Sequence, residues 1–383
     1  DPIFSPLILV APFQNPDVKD LINTGPVATP EAEMVNKFKK ALSLEQTQNY
    51  ITQSSVPDER LIPLIGTFAK WKANYLDSVA LLHSSFNFSP IVRLPYQGSS
   101  MYRNLSFFRS EATGIISHPR NRRNINKTIK KLGKALAAQT ISDRLKDKFS
   151  EQNRQIVSIT DLPIEWLDIS DVPLAFTHDV CRLPETTLNG LMAIFAQNER
   201  FQYSVPENIL EKTLVIFGSD ETTFKFWRPV VNDLSKDLGF HTRVCLSVSD
   251  VVKAVEEIKP DLLIFDCHGS VDLATKNSYL IVGNERLTPQ DIAKYQIHAP
   301  LVFLSACNTA PTYGTINTIA NAFFGCLALS VTTTYLPINV NTGTILYIRL
   351  LNNLKMAASK PIHKNWLAFV SHIIRTSSIS ETF

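Results

Sequence analysis

The sequence predicts an α/β protein: a three-layer α/β/α domain with a mostly parallel sheet over residues 206–383, preceded by a mixed α+β region over residues 1–205. Three observations carry this reading. At 383 residues the chain is long enough for two domains with separate cores. From about Glu211 onward, short β-branched runs alternate with stretches of helical apolar spacing. Strands separated by helices need crossover connections, hence parallel pairing with both sheet faces covered. The first 200 or so residues lack this rhythm, although the composition is globular throughout, with 44% hydrophobic and 19% charged residues.

Taken in order, KTLVIFGSD reads as a first strand ending in a turn. Phe224 to Leu238 follows as a helix, with apolar residues at Phe226, Val230, Val231, Leu234 and Leu238 and a stop at Gly239. His241 to Leu246 is a second strand, and Ser249 is expected to cap a helix running through Val252, Val255 and Ile258. Asp261 to Asp266 is a third strand. YLIVGNERL reads as a hairpin turning at Gly283 and Asn284, and Thr288 with Pro289 opens a short helix. Leu301 to Ser305 is a fourth strand, Asn317 to Phe324 a helix, and Cys326 to Val331 a fifth strand. Helices over Asn339 to Leu354 and His363 to Arg375 close the chain.

In the N-terminal region SPLILVAPF is a buried-strand candidate and SPIVRLPYQG another extended piece, with helical patterns over Glu31–Gln53 and Leu61–Leu82. Arg120 to Lys134 carries seven basic residues in fifteen and continues as a helix to about Phe149. One solvated helix face explains such a run; a patch for an anionic ligand or nucleic acid is the alternative. The segment IVSITDLPIEWLDISDVPLAFTHDV is expected to form two strands around a turn, as a hairpin or an edge addition.

The net charge is only +3, so global electrostatics do not point to nucleic acid, which is expected as a partner only indirectly if at all. Five cysteines form an odd set with neither a CxxC pair nor a metal-ligand spacing, which argues against a disulfide framework or a zinc site and fits a reducing cytoplasm; no cofactor is expected. The longest apolar stretch, around Ala320 to Val331, is too short to span a bilayer. No signal peptide is legible, and Asp1 in place of a methionine suggests numbering that starts inside a longer or processed product.

His268 and Cys307 each sit just past an apolar run, in LLIFDCHGS and LVFLSACNTA. In an open parallel sheet the carboxyl ends of strands are where reacting groups are displayed. A thiol can attack an amide carbonyl and an imidazole can supply the proton that the departing amine needs. A strand-end cysteine ahead of a helix would feel backbone N–H groups, so a lowered thiol pKa is expected for Cys307. Gly269 lets its own N–H and that of Cys307 face a developing oxyanion. The 39 residues between the pair accommodate one crossover plus the hairpin, so adjacent sheet positions are reachable. Asp220 and Asp266 are the acids at strand ends: either can orient a group or select a basic substrate side chain, and a helix-capping or turn role competes with both. Strand alternation turns Cys267 away from His268 into the core. Cys326, His241 and His298 read as packing or structural residues.

The order strand-His-Gly, hairpin and helix, then strand-Ser-Ala-Cys resembles the CHAT family of caspase-like cysteine proteases, over roughly Lys212 to Arg375. The motifs that carry the likeness are CHGS, LSACNTA and the later run FFGCLALSVTTTYLPINVNTGTILYIRLL. The resemblance implies a caspase-like α/β/α fold, His268 and Cys307 as a catalytic dyad, and a histidine that protonates the leaving group rather than forming a tight ion pair. It further implies a protein substrate, a regulatory or sensor partner, and a setting in prokaryotic defence or programmed death. The N-terminal region would then be a regulatory or pseudo-caspase-like half, and it shows no His and Cys pair at strand ends. The caspase motif itself is absent, because Ser305 precedes Ala306 and Thr309 follows, so aspartate specificity is not implied. Near the Leu-Pro pair, where the family carries an acidic residue, this chain has Ile338 and Asn339. A catalytically silent adaptor binding a partner through the same cleft is the alternative function. A flavodoxin-like phosphate binder would need a glycine-rich loop, and FGSDETT has a single glycine.

Overall fold

The computed structural model describes residues 7–10, 74, 76–85, 88–95, 119–151, 155–160, 162–183, 203–272, 277–310, 318–360 and 362–380. The helix expected over Glu31–Gln53 lies outside them, as do residues 61–73 and 75 of Leu61–Leu82, of which residues 74 and 76–82 are helical. The described chain forms two parallel sheets.

The first sheet contains β1 (Leu7–Val10), β2 (Ile91–Arg93), β3 (Gln155–Ile159) and, beyond a small ribbon of β4 (Asp168–Ile169) and β5 (Val172–Pro173), β6 (Asp179–Arg182). The order is β2-β1-β3-β6 and every pair is parallel. Helices α1 (Pro119–Thr140) and α2 (Asp143–Glu151) precede β3, and a short helix α3 (Leu174–Thr177) precedes β6. Alternation along β1 and β3 sends Leu7, Leu9 and Ile156 to one face against Leu132 and Leu136 of α1, and Ile8, Val10, Val157 and Ile159 to the other against Leu76 and Val79. The expected hairpin over residues 156–180 is therefore a crossover between parallel strands. The turn chemistry there belongs to the small ribbon: Ser170 and Asp171, both at positive φ, close β4 onto β5.

The second sheet has the order β14-β13-β9-β7-β8, from β7 (Thr213–Phe217), β8 (His241–Val244), β9 (Leu262–Asp266), β13 (Leu301–Ser305) and β14 (Ser330–Thr332), and it too is parallel throughout. Central strands β7, β9 and β13 are buried at all five positions, which is why they read as unbroken apolar runs. Edge strand β8 is HTRV, half exposed and polar. Leu214, Ile216, Leu263, Phe265, Val302 and Leu304 point to one face. There they meet α5 (Val248–Ile258), α6 (Pro289–Tyr295) and α7 (Ile319–Gly325), together with the hairpin of β11 (Asn277–Val282) and β12 (Glu285–Leu287). Their neighbours Val215, Phe217, Leu262, Ile264, Leu301 and Phe303 point to the other, under α4 (Thr222–Leu238), α8 (Val340–Ser359) and α9 (Trp366–Ser380). This is the expected three-layer arrangement.

Local signals explain the boundaries. Gly239, left-handed at φ 82°, ends α4 as expected. Thr288 and Asp291 form a reciprocal capping box on α6. Helix α5 starts earlier than expected because Ser247, not Ser249, accepts the cap hydrogen bond from Asp250 N–H. The fifth strand starts later, at Ser330: Cys326 caps α7, is buried, and points its thiol at the Ile292 carbonyl.

The two sheets are tied together. Gln155 and Asn365 exchange amide hydrogen bonds at 2.8 and 2.9 Å, and Arg375 of α9 donates to the Ala175 carbonyl and to Asp179.

Candidate active site

Register places the predicted residues. The ladders pair Asp266 with Ser305 on one side and with Phe217 on the other, so β7, β9 and β13 end level with one another. His268 follows two residues after Asp266 and Cys307 two residues after Ser305. The chain after β9 turns out of the sheet as β10 (His268–Asp272), which pairs antiparallel with β11. Direct backbone contact joins the two segments at Gly269. A Cβ built there would lie 2.1 Å from the Cys307 carbonyl oxygen and 3.1 Å from the Cys307 nitrogen, so only glycine permits this approach. Gly218, after β7, has a similar part beneath the site: its Cβ would meet Cys267 at 2.7 Å.

His268 is about one-third exposed, and its ring packs edge-on against Phe224 of α4 with centroids 4.8 Å apart. Its Nε2 lies 3.0 Å from Glu221 Oε1, an ion-pair distance without the alignment of a hydrogen bond. Glu221 is the N-cap residue of α4, so the loop after β7 delivers a carboxylate to the imidazole. Sequence reasoning picked out its neighbour Asp220, whose carboxylate is instead taken up by Arg228 at 2.8 Å and Lys225 at 3.6 Å and held below the usual aspartate range, chiefly by the Arg228 hydrogen bond. The signal for Glu221 was available only as the residue preceding a helix.

The Cys307 sulfur is partly buried and bracketed by one residue. Ile338 N–H donates to Sγ at 3.3 Å, and the thiol faces the Ile338 carbonyl at 3.5 Å. Burial pushes the thiol above the usual cysteine range, and the Ile338 N–H offsets this only in part. The lowered pKa expected for Cys307 is thus reversed, because no described helix starts directly after it to supply donors, while the 334–338 segment covers it. Thr334 stitches that segment to the cysteine turn: its hydroxyl donates to the Ala306 carbonyl at 2.6 Å, its N–H to Thr309 Oγ1 at 2.9 Å, and its carbonyl accepts from Ala310 N–H at 3.1 Å. Asn339, which stands where an acidic residue was looked for, accepts from Asn341 N–H and caps α8.

Asp266 turns inward. It is 1% exposed, and its Oδ2 accepts from Tyr347 at 2.7 Å and Thr344 at 3.4 Å while Oδ1 has no protein partner. Burial lifts its carboxyl to about 6 against those hydrogen bonds. As a substrate-pocket candidate it is corrected: a carboxylate facing α8 within the core is not open to a substrate side chain. Cys267 points into the opposite core layer, as alternation requires.

An open-ended parallel sheet with a histidine and a cysteine on neighbouring strand ends defines a caspase-like α/β arrangement. Residues 234–362 match the family model of the CHAT domain, a caspase-like family. No curated protein matches the chain. Among the described residues no group of histidine, cysteine and acidic side chains is arranged to hold a metal ion, and no helix is long and apolar enough to cross a membrane.

Proposed function

We propose that this chain is a cysteine endopeptidase that cleaves a protein partner with Cys307 as nucleophile and His268 as proton carrier. The observation that carries the reading is the contact of Gly269 on the Cys307 backbone, which holds histidine and cysteine segments side by side at level strand ends. Because the thiol is neutral at rest, its proton must leave as sulfur attacks. His268 takes that proton while Sγ bonds to the scissile carbonyl carbon, and the N–H groups of Gly269 and Cys307 face the oxyanion. Collapse breaks the C–N bond, His268 returns the proton to the amine, and water then hydrolyses the thioester. Glu221 steadies the imidazolium formed in between.

We place the boundary of the protease half near residue 205 and read residues 1–205 as a regulatory, pseudo-caspase-like half, a reading supported by its four-stranded parallel sheet. The family likeness supports a cytoplasmic, regulated protease of a prokaryotic defence or cell-death system with a sensor partner. The covered, neutral thiol favours one alternative, a silent adaptor that binds a partner through the same cleft.

Labelling by a peptide acyloxymethyl ketone and cleavage of fluorescent casein, compared among wild type, Cys307→Ala and His268→Ala, tests this. Labelling confined to Cys307 and cleavage lost in both variants are expected. Equal labelling of Cys181 or Cys326, or cleavage persisting in Cys307→Ala, would sink the assignment.

A further inference from the structure

The segment that covers Cys307 is gripped from the N-terminal side. Tyr335, three residues before Ile338, donates its hydroxyl to Glu165 Oε1 at 2.7 Å. Glu165 lies in the turn after β3 and is held by a two-pronged bond from Arg182, the last residue of β6, at 2.8 and 2.6 Å. Arg182 is itself anchored to the carbonyls of Thr160 and Leu162. Its guanidinium lies 5.0 Å from the Tyr335 ring centre, and Trp166 meets the same ring edge-on at 5.9 Å. Leu336 packs into the N-terminal core. Between this anchorage and the sulfur stands only Pro337, whose ring fixes φ and restricts Leu336, so displacement at Tyr335 passes to Ile338 instead of being absorbed.

We infer that Glu165, in the N-terminal half, is a positioning residue for Cys307: with Arg182 it fixes Tyr335 and thereby holds the Ile338 N–H on the sulfur. This rests on the reading of Cys307 as nucleophile, and it makes the nucleophile's setting depend on how the N-terminal half is docked. The remote Gln155–Asn365 pair also joins the halves but does not touch this segment. A two-pronged, largely buried arginine–carboxylate pair is the geometry that confers specificity as well as energy.

The clamp does not titrate near neutrality. Burial raises Glu165, but the Arg182 charge and hydrogen bond outweigh it and hold the carboxylate ionised, while burial pushes the Tyr335 hydroxyl well above the usual tyrosine range. On the neighbouring segment the titratable groups are Asp266, Cys267 and His268, and Cys267 is raised far by burial, then by Asp266 and Cys307.

The test is the pH profile of iodoacetamide alkylation at Cys307 in the full chain, read by mass spectrometry of the Cys307 peptide from about pH 7 to about 11. Tyr335→Phe, which keeps the ring packing, and Glu165→Gln should each move the midpoint up by about half a unit, leaving about threefold less thiolate at neutral pH. The double variant should add little to the larger single effect, and Gln155→Ala should leave the profile unchanged. Wild-type profiles in both clamp variants overturn the inference, as does a downward shift, which would mean that the segment shields the sulfur. The readout needs no peptide cleavage. A chain without protease activity can still show the shift, and dyad-dependent cleavage with an unshifted profile defeats this inference alone.

Discussion

Replacing Gly269 with alanine places one methyl group against the backbone of Cys307. The added Cβ would start 2.1 Å from the Cys307 carbonyl oxygen, and real Cβ atoms essentially never come closer than 3.0 Å. One segment must therefore retreat by about 0.9 Å. Neither can swing aside as a side chain would, since β10 is held by its ladder to β11 and the cysteine turn by Thr334. A misplacement of about 1 Å between reacting groups can cost about a hundredfold in rate, and overpacking costs roughly 1–3 kcal/mol in stability. We expect the second-order rate of Cys307 labelling by a peptide acyloxymethyl ketone to fall about a hundredfold in Gly269→Ala, with a melting temperature lowered by several degrees. Wild-type labelling in a folded variant would refute the claim that this contact sets how the His268 and Cys307 segments lie together.

Glu221→Gln removes the carboxylate beside His268; because that carboxylate is about two-thirds exposed, solvent and salt screen it, and we expect kcat to fall about threefold with KM little changed. Unchanged kcat at low ionic strength would remove Glu221 from the mechanism. Gly343 of α8 faces the Ser305 hydroxyl, which a Cβ would approach to 2.5 Å; Gly343→Ala should destabilise by about 1 kcal/mol, and adding Ser305→Ala should restore stability, measured by urea unfolding. Asp266 titrates at about 6 when folded, above its unfolded value, so its contribution to stability is fully present below about pH 4 and is lost as pH rises through about 6. The stability of Asp266→Asn relative to wild type should therefore rise by about 3 kcal/mol between about pH 4 and about pH 7.5, and a pH-independent difference would show that the carboxyl is not held neutral by burial.

What could be read in advance divides along physical lines. Strands β7, β9 and β13 announced themselves because burial on both faces demands unbroken apolar runs, and their ends located His268 and Cys307. The pairing of β3 with β6 did not, since parallel partners 24 residues apart leave no local period, and the turn residues Ser170 and Asp171 between them serve a different ribbon. Ile338 was invisible as a site residue because it acts through its backbone, which any residue type provides. Tyr335 and Glu165 meet across 170 positions, a coincidence that only the folded chain creates. Asp266 shows the converse: its position at a strand end was legible, while the side it faces followed from counting the alternation past Ile264 onto the face covered by Tyr347.

All five cysteines are free, and burial raises every one, Cys181 and Cys245 to about 12. Peroxide attacks thiolates, not thiols. Thiols that burial holds toward the protonated form, Cys307, the proposed nucleophile, among them, present little thiolate to such oxidants. Brief oxidative stress should leave these cysteines unmodified, while a substrate-like electrophile still finds Cys307.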